Sequence, residues 1–265
     1  MIHLKYGHIG PKVVSLQILL NRHTPTIALN VDGMFGPKTK SGVIAFQRHY
    51  KLSTDAVVGK KTWGKLRQLS GLETVDMVDM TSNDLGGAVA DIKSAGGNPI
   101  IMRGMSNGVG QAMVSVAQQV KGAESIVLLR LYAHGAPGGI NVSAGVDDYD
   151  ADLAGISNSN FHQIRGSLNF IKGKFAPFSS VGFHGCQVGR GSAGRNLVRK
   201  LADVWQVPVT AAVRYQLVGG GARYTFRHEG PVFTAYPGGV SLRSWARQVA
   251  HHGEIKVQSA TNRYF

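Results

Sequence analysis

The chain carries one cysteine, Cys186, in 265 residues. That excludes an intramolecular disulfide framework and any zinc site built from several thiolates. Acidic side chains are scarce, 15 against 29 Lys and Arg, and the net charge is +14. No apolar run reaches the roughly 18 residues that a membrane helix needs. Glycine is plentiful at 35 residues, yet without a triplet repeat alongside proline, so a collagen-like chain is excluded. At 43% hydrophobic and 17% charged, the composition holds enough apolar surface to offset ordering entropy, which excludes a disordered chain. The length exceeds that of one typical domain, and two are expected.

The charge is uneven. Residues 1–72 hold 11 Lys and Arg against two acids, Asp32 and Asp55, for a net +9. A small unit of that charge is drawn to a polyanion at moderate salt. The same stretch shows three short helices. Pro11 suits a first helical turn, and Val13, Val14, Leu16, Leu19 and Leu20 recur at helical spacing. A second helix follows Gly36-Pro37 and a third follows Gly59, the latter carrying Trp63 and Leu66. Two turns, Val31-Asp32-Gly33-Met34-Phe35-Gly36 and Asp55-Ala56-Val57-Val58-Gly59, share a form that suggests an internal duplication. Gly10, Val14, Leu16-Gln17, Leu20-Asn21, Val31-Asp32-Gly33, Phe35-Gly36, Thr39, Val43, Phe46-Gln47, Val58-Gly59 and Thr62-Trp63 resemble the three-helix peptidoglycan-binding domain attached to many cell-wall enzymes. The resemblance implies that peptidoglycan or another anionic wall polymer is the partner, rather than nucleic acid. Gly33, Gly36 and Gly59 are read as turn residues. Trp63 is read as core, with ligand contact as its alternative.

Beyond residue 72 the texture changes to alternating strands and helices. Strands are expected at 75–80, 99–103, 125–133, 181–183 and 207–213, and helices at 84–95, 111–121, 160–172 and 192–204. Segments 224–228 and 232–236 are expected to pair as a hairpin. Such alternation predicts a mainly parallel sheet flanked by helices. The expected architecture is therefore α + α/β, with a helical unit at 1–72 and a sheet domain at 73–265.

Two of the expected strands run into reactive residues, one into His134-Gly135 and the other into His184-Gly185-Cys186. A thiol needs a base or a positive dipole to become a nucleophile at neutral pH. The expected helix after Cys186 offers a dipole, and His134 offers a base that later protonates the leaving group. Glycines beside both let backbone N–H groups approach an oxyanion. The pattern resembles the caspase–legumain–gingipain superfamily of cysteine peptidases. His134-Gly135-Ala136-Pro137-Gly138 and the segment from Gly185 to Gly194 are closer still to an uncharacterised domain of large bacterial adhesin-like proteins. This resemblance implies Cys186 as nucleophile, His134 as acid/base and the Gly135 and Cys186 amides as oxyanion hole, acting on a peptide or protein substrate.

Other arrangements compete. His184-Gly185-Cys186 also resembles the core of L,D-transpeptidases, which are largely β and would make His184 a functional residue. Cys186 with His228 suits a papain-like amidase if Cys186 opens a long helix and His228 lies on a strand. Gly189, Gly191 and Gly194 match a dinucleotide fingerprint, read here as a tight strand-to-helix turn. Asp148, Asp150 and Asp152 lack the glycine and glutamate of a calcium loop and are weighed as contacts to a cationic substrate group. No cofactor and no metal are expected. A non-catalytic wall-binding protein is the reading from another class. The first residues enter a patterned helix without an apolar leader, so the expectation is synthesis in the cytoplasm and action in the periplasm or wall after specialised export or lysis.

Overall fold

The computed structural model describes residues 3–24, 27–81, 83–103, 108–142, 155–218, 221 and 225–254. Three helices come first: α1 (Pro11–His23), α2 (Pro37–His49) and α3 (Lys60–Ser70). Proline opens both α1 and α2, where its missing N–H has no intrahelical role. Gly71, in the left-handed conformation at φ 63°, closes α3. Leu16, Leu19, Leu20, Val43, Phe46, Trp63 and Leu66 fill the space between the helices.

The expected duplication is visible in the hydrogen bonds. Gln17 Nε2 donates to Asp32 Oδ1, Met34 O and Thr39 Oγ1 at 2.8, 3.1 and 3.1 Å. Gln47 Nε2 donates to Asp55 Oδ1, Val57 O and Thr62 Oγ1 at 2.9, 3.0 and 3.1 Å. Each Oε1 accepts from the residue after its aspartate, Gly33 in one half and Ala56 in the other. One buried glutamine thus replaces, in each half, the backbone partners that an irregular turn cannot supply itself.

The sheet begins at β1 (Glu73–Asp79). It continues through α4 (Gly86–Ser94), β2 (Ile100–Met102), α5 (Gly108–Gln119) and β3 (Ile126–Tyr132). Three short strands follow, β4 (Gly135–Ala136), β5 (Gly139–Asn141) and β6 (Gly155–Ser157), and then α6 (Phe161–Asn169). The chain ends with β7 (Phe175–His184), α7 (Gly191–Trp205), β8 (Val209–Ala212), β9 (Val232–Ala235) and α8 (Leu242–Val249). The six-stranded sheet has the order β2-β1-β3-β7-β8-β9, parallel except for β9. The α + α/β expectation therefore holds: three helices, then a mixed, mostly parallel sheet flanked by helices. This layout is not the largely β one that an L,D-transpeptidase reading requires. Among the described residues no helix is long and apolar enough to cross a membrane.

Three expectations need correction. β7 starts at Phe175, six residues before the expected 181, because Pro177 disguises its first half. The pairing with β3 is irregular there, jumping from Phe175 to Ser180, and the break accommodates a residue without an N–H. The expected hairpin does not form. β9 instead adds antiparallel to β8, while Phe226 turns into a cluster with Val78, Leu85, Ile92 and Tyr132. The small sheet β4-β5-β6 and helix α8 were not anticipated.

The pleat divides the core. Met77, Leu129, Leu131, Val181 and Phe183 face α5, α6 and α7. The opposite face is covered by the three-helix unit and α8, whose cluster extends into Leu128, Ala176 and Phe178, and toward the strand C-termini by α4 and Phe226, which pack on Val78 and Tyr132. Ser15 Oγ on α1 donates to Phe178 O on β7 at 2.6 Å. The side chains alternating onto this covered face include Asp76, Arg130, Tyr132 and His184, a polar strip in an otherwise apolar interface.

Candidate active site

Parallel strands deliver their C-terminal ends to one edge. β1 connects to β2 on one side, while β3 lies on the other, so the strand order reverses between β1 and β3. Crevices at such reversals are where open α/β sheets gather functional groups. The segment after β1 brings Asp84 there and the segment after β3 brings His134, with Asp84 Oδ2 2.8 Å from His134 Nε2. Both side chains are about half exposed. Asp84 was expected only as the start of a helix; nothing local in the sequence marks it as a partner of a histidine fifty residues on.

β7 is the neighbour of β3, in parallel, with Tyr132 opposite His184. Two residues past that pair, the two chains reach His134 and Cys186. They run close together. A Cβ on Gly135 would sit 3.1 Å from the Cys186 carbonyl oxygen, and one on Gly185 would sit 2.9 Å from Ala133 O. These approaches require glycine, whatever its other roles. Pro137-Gly138, with Gly138 at φ 81°, makes a type II turn between β4 and β5. The Asn141 N–H donates to His134 O at 2.9 Å, so Gly135 and Ile140 form a non-hydrogen-bonded pair and the Gly135 N–H points away from β5.

Cys186 is half-buried. The Gln216 N–H reaches its sulfur at 3.4 Å. Gln216 is itself fixed by Glu229: its Oε1 accepts from Glu229 N at 2.9 Å, and its Nε2 donates to Glu229 O at 3.0 Å. Gln187, directly after the thiol, is held at φ 59°, a left-handed conformation rare for a residue with a side chain. Its N–H donates to Arg214 O at 3.0 Å and its carbonyl accepts from Arg190 N at 2.8 Å. Helix α7 begins only at Gly191, beyond this turn. The helix dipole expected at Cys186 is therefore displaced by a full turn of chain, farther than such dipoles act strongly. The papain-like arrangement also fails its own conditions, because Cys186 lies in the turn before α7 and His228 lies outside the strands. The fingerprint glycines are packing residues: a Cβ on Gly194 would fall 2.4 Å from Val188 O and Gly189 C.

His184 and His228 lie beneath this edge. Their rings stack at 4.3 Å, and Tyr132 stacks on the other side of His184 at 4.7 Å. Burial, then the charge of His228 and of Lys12, holds the His184 imidazole well below the ordinary histidine range. Burial followed by the Lys12 charge pushes His228 down to about 3. Two rings so strongly kept neutral are poor proton acceptors, which favours His134 as the base at this edge. Beside the thiol runs a groove of about 650 Å³ lined by Gln187, Arg190, Arg195, Arg214, Tyr215 and Pro231. Three arginines on its wall suit substrates that carry carboxylates.

Of the remaining candidates, Trp63 is 5% exposed, a core residue of the helical unit. Asp148, Asp150 and Asp152 lie outside the described residues. Among the described residues no three His, Cys, Asp or Glu side chains are grouped as a metal site.

Comparison with known proteins agrees with this two-part reading. A family model described as a peptidoglycan binding domain matches residues 9–66. A second, the Domain of unknown function (DUF4347), matches residues 76–222, more than half of the chain. The chain belongs to the DUF4347 family. Among curated proteins, the zinc D-Ala-D-Ala carboxypeptidase of Streptomyces albus G is 42% identical over 67 residues, 25% of this chain and 26% of that protein. An uncharacterized protein in the bpoA1 3' region of Kitasatospora aureofaciens is 42% identical over 57 residues, 22% of this chain and 48% of that protein. The chain thus spans between a quarter and a half of the length of these relatives.

Proposed function

We propose that the protein is a peptidoglycan-targeted cysteine hydrolase of peptidase or amidase type, in which a helical unit at 1–72 holds a caspase-like domain at 73–265 on its substrate. Cys186 is the nucleophile, His134 the acid/base, Asp84 the residue that orients His134, and the Gly135 N–H an oxyanion donor. The carrying observation is the 2.8 Å Asp84–His134 contact at the end of the strand adjacent to the one that delivers Cys186. A carboxylate behind the imidazole, with a thiol at the exit of the neighbouring strand, follows the nucleophile–base–orienter order of acyl-transfer sites.

In the reaction, His134 takes the Cys186 proton as sulfur bonds to the substrate carbonyl carbon. The carbonyl electrons move to oxygen, which the Gly135 N–H stabilises. When the oxyanion collapses, the C–N bond breaks and His134 returns the proton to the leaving amine. Water then cleaves the thioester and restores the thiol. The polymer-binding unit raises the local concentration of the site at its substrate. Action in the periplasm or at the wall, after specialised export or lysis, belongs to the same proposal. Purified peptidoglycan is treated with the wild type, Cys186→Ala, His134→Ala and His228→Ala. Soluble fragments are expected from the wild type and His228→Ala only. Equal release by all four, or by none, would overturn the hydrolase reading.

A further inference from the structure

A groove of about 420 Å³ follows the seam between the helical unit and α8, and shares no lining residue with the arginine groove beside the thiol. The helical unit lines it with Ile9, Asn30, Asp32 and Met34, and the start of α8 with Ser241, Leu242 and Arg243. These residues are open to solvent. Ile9 is 66% exposed and Met34 52%, Asn30, Ser241 and Arg243 are also exposed, and Asp32 and Leu242 are half-buried.

The backbone holds the apolar side chains together. The Gly10 N–H donates to Gly33 O and the Phe35 N–H to His8 O, both at 2.9 Å, on either side of the Ile9–Met34 bridge. Ile9 and Met34 are therefore a non-hydrogen-bonded antiparallel pair, the arrangement that sets opposed side chains closest on one face. Gly33, at φ 76°, makes room for Leu242, whose Cδ1 would lie 2.8 Å from a Cβ at that position. Scattered apolar residues on a surface are ordinary, whereas three converging on one groove mark a contact site.

The lining selects among the parts of a wall polymer. None of the lining residues is aromatic, and sugar rings are held chiefly on aromatic faces, so glycan is the poorer fit. The rim carries both signs of charge, Arg243 from α8 and Asp32, beside the Asn30 amide, from the helical unit. An aliphatic floor under such a rim matches a short peptide of small residues with a carboxylate and an amine. The peptide stems of peptidoglycan have that chemistry, with alanine methyls between the charged groups. Ile9, Asn30, Asp32 and Met34 all fall within residues 9–66, the stretch matched by the peptidoglycan binding domain. The net +9 of residues 1–72 complements an anionic wall as well.

We propose that this seam binds the peptide stem of peptidoglycan, with alanine methyls on Ile9, Met34 and Leu242, a carboxylate on Arg243 and an amine on Asp32. Because α8 comes from beyond the helical unit, the domain that the unit anchors also completes the anchoring site. The inference rests on wall binding by the helical unit and is independent of the Cys186 chemistry.

The test uses the full chain carrying Cys186→Ala, so the wall stays intact and the hydrolase reading does not enter. Isothermal titration at about 150 mM salt, which screens diffuse attraction, compares L-alanyl-γ-D-glutamyl-L-lysyl-D-alanine, the same peptide amidated at its carboxylates, and chitotetraose. The free peptide is expected to bind saturably, and the other two about tenfold weaker or more. Met34→Ser and Ile9→Ser should each weaken it about three- to tenfold through lost apolar contact, and Arg243→Gln about tenfold. All three side chains are exposed, so the variants fold as the parent does. Phe170→Ser, which removes a 60% exposed ring outside the groove, should change nothing. Co-sedimentation with purified peptidoglycan separates the two ways of failing. A parent chain that stays in the supernatant would overturn wall binding itself. A parent that pellets, with Met34→Ser and Arg243→Gln pelleting equally, would overturn this site alone. Chitotetraose bound as tightly as the peptide, or a dimer in sedimentation velocity that Met34→Ser abolishes, would overturn the assignment in favour of glycan or a second copy.

Discussion

Tyr132 and His184 stand opposite one another on β3 and β7, their rings stacked at 4.7 Å, and each is followed two residues later by a chemically active side chain. The parallel register carries the segments holding His134 and Cys186 to the same edge of the sheet. Asp84 completes the set from β1's exit, across the strand-order reversal. The first prediction follows from that geometry. Asp84 and His134 are both about half exposed, and an exposed ion pair adds only about 0–1 kcal/mol to stability. Asp84→Asn should therefore leave the urea midpoint nearly unchanged while slowing fragment release about 10- to 100-fold, with partial recovery in Asp84→Glu. In a Cys186→Ala background the same change should have no further effect, as for groups that act as a unit.

Acid stability is the second. His228 is held down to about 3 and His184 is held well below the ordinary 6.5, burial being the first cause for both. The unfolded chain then binds more protons than the folded one as pH falls below about 6.5, and the stability of the neutral, folded rings is lost progressively toward pH 3. Each such histidine contributes a slope of about 1.4 kcal/mol per pH unit in that window. Urea denaturation at pH 7, 6 and 5 should show falling midpoints. His228→Phe should flatten the dependence in part, leaving His184 and the less deeply buried His3, His8 and His23, which burial also lowers. Parallel curves for the wild type and the variant would count against the buried, neutral assignment.

How far the sequence foretold these arrangements varies with the range of the interactions involved. The three helices follow from Pro11, Pro37, Gly71 and the spacing of their apolar residues, all local signals. β3 was recognisable because every side chain from Ile126 to Tyr132 is buried, which leaves an uninterrupted apolar run apart from Arg130. Arg130, a charge within that run, is explained by Asp76, 54 residues earlier. Asp84 escaped notice for the same reason: its role depends on β1 and β3 becoming neighbours. β7 was recognised too short because Pro177 reads as a strand breaker, and β9 was mispaired because strand propensity does not specify a partner. Of the candidate site, the glycine-flanked His134 and Cys186 were evident, while Gln216 and Glu229 come from loops, and the arginine groove from loops and the first turns of α7, that only the sheet brings together.

The two buried glutamines offer a stability test of the internal duplication. Gln17 and Gln47 are each 1% exposed and make matching bonds to an aspartate, a backbone carbonyl and a threonine. Replacing either by Leu keeps the volume and strands several buried polar groups. Each variant should lose about 3 kcal/mol, within the range for one or two orphaned groups. The two losses should match within about 0.5 kcal/mol, since distant equivalent sites behave independently. Differential scanning calorimetry of the full chain measures both, and a markedly unequal pair would contradict the structural equivalence.

The Asp76–Arg130 pair calls for a double-mutant cycle. Both residues are buried, at 4% and 3% exposure, and Arg67 lies near enough to repel an unpaired Arg130. Asp76→Leu leaves a buried guanidinium facing another cation, and Arg130→Met leaves a buried carboxylate. Each single change should cost about 3–5 kcal/mol, the scale for breaking one side of a buried pair. Replacing both, Asp76→Leu with Arg130→Met, removes the desolvation cost along with the attraction and should recover most of the loss. Guanidinium denaturation with an unchanged m-value gives the four corners of the cycle.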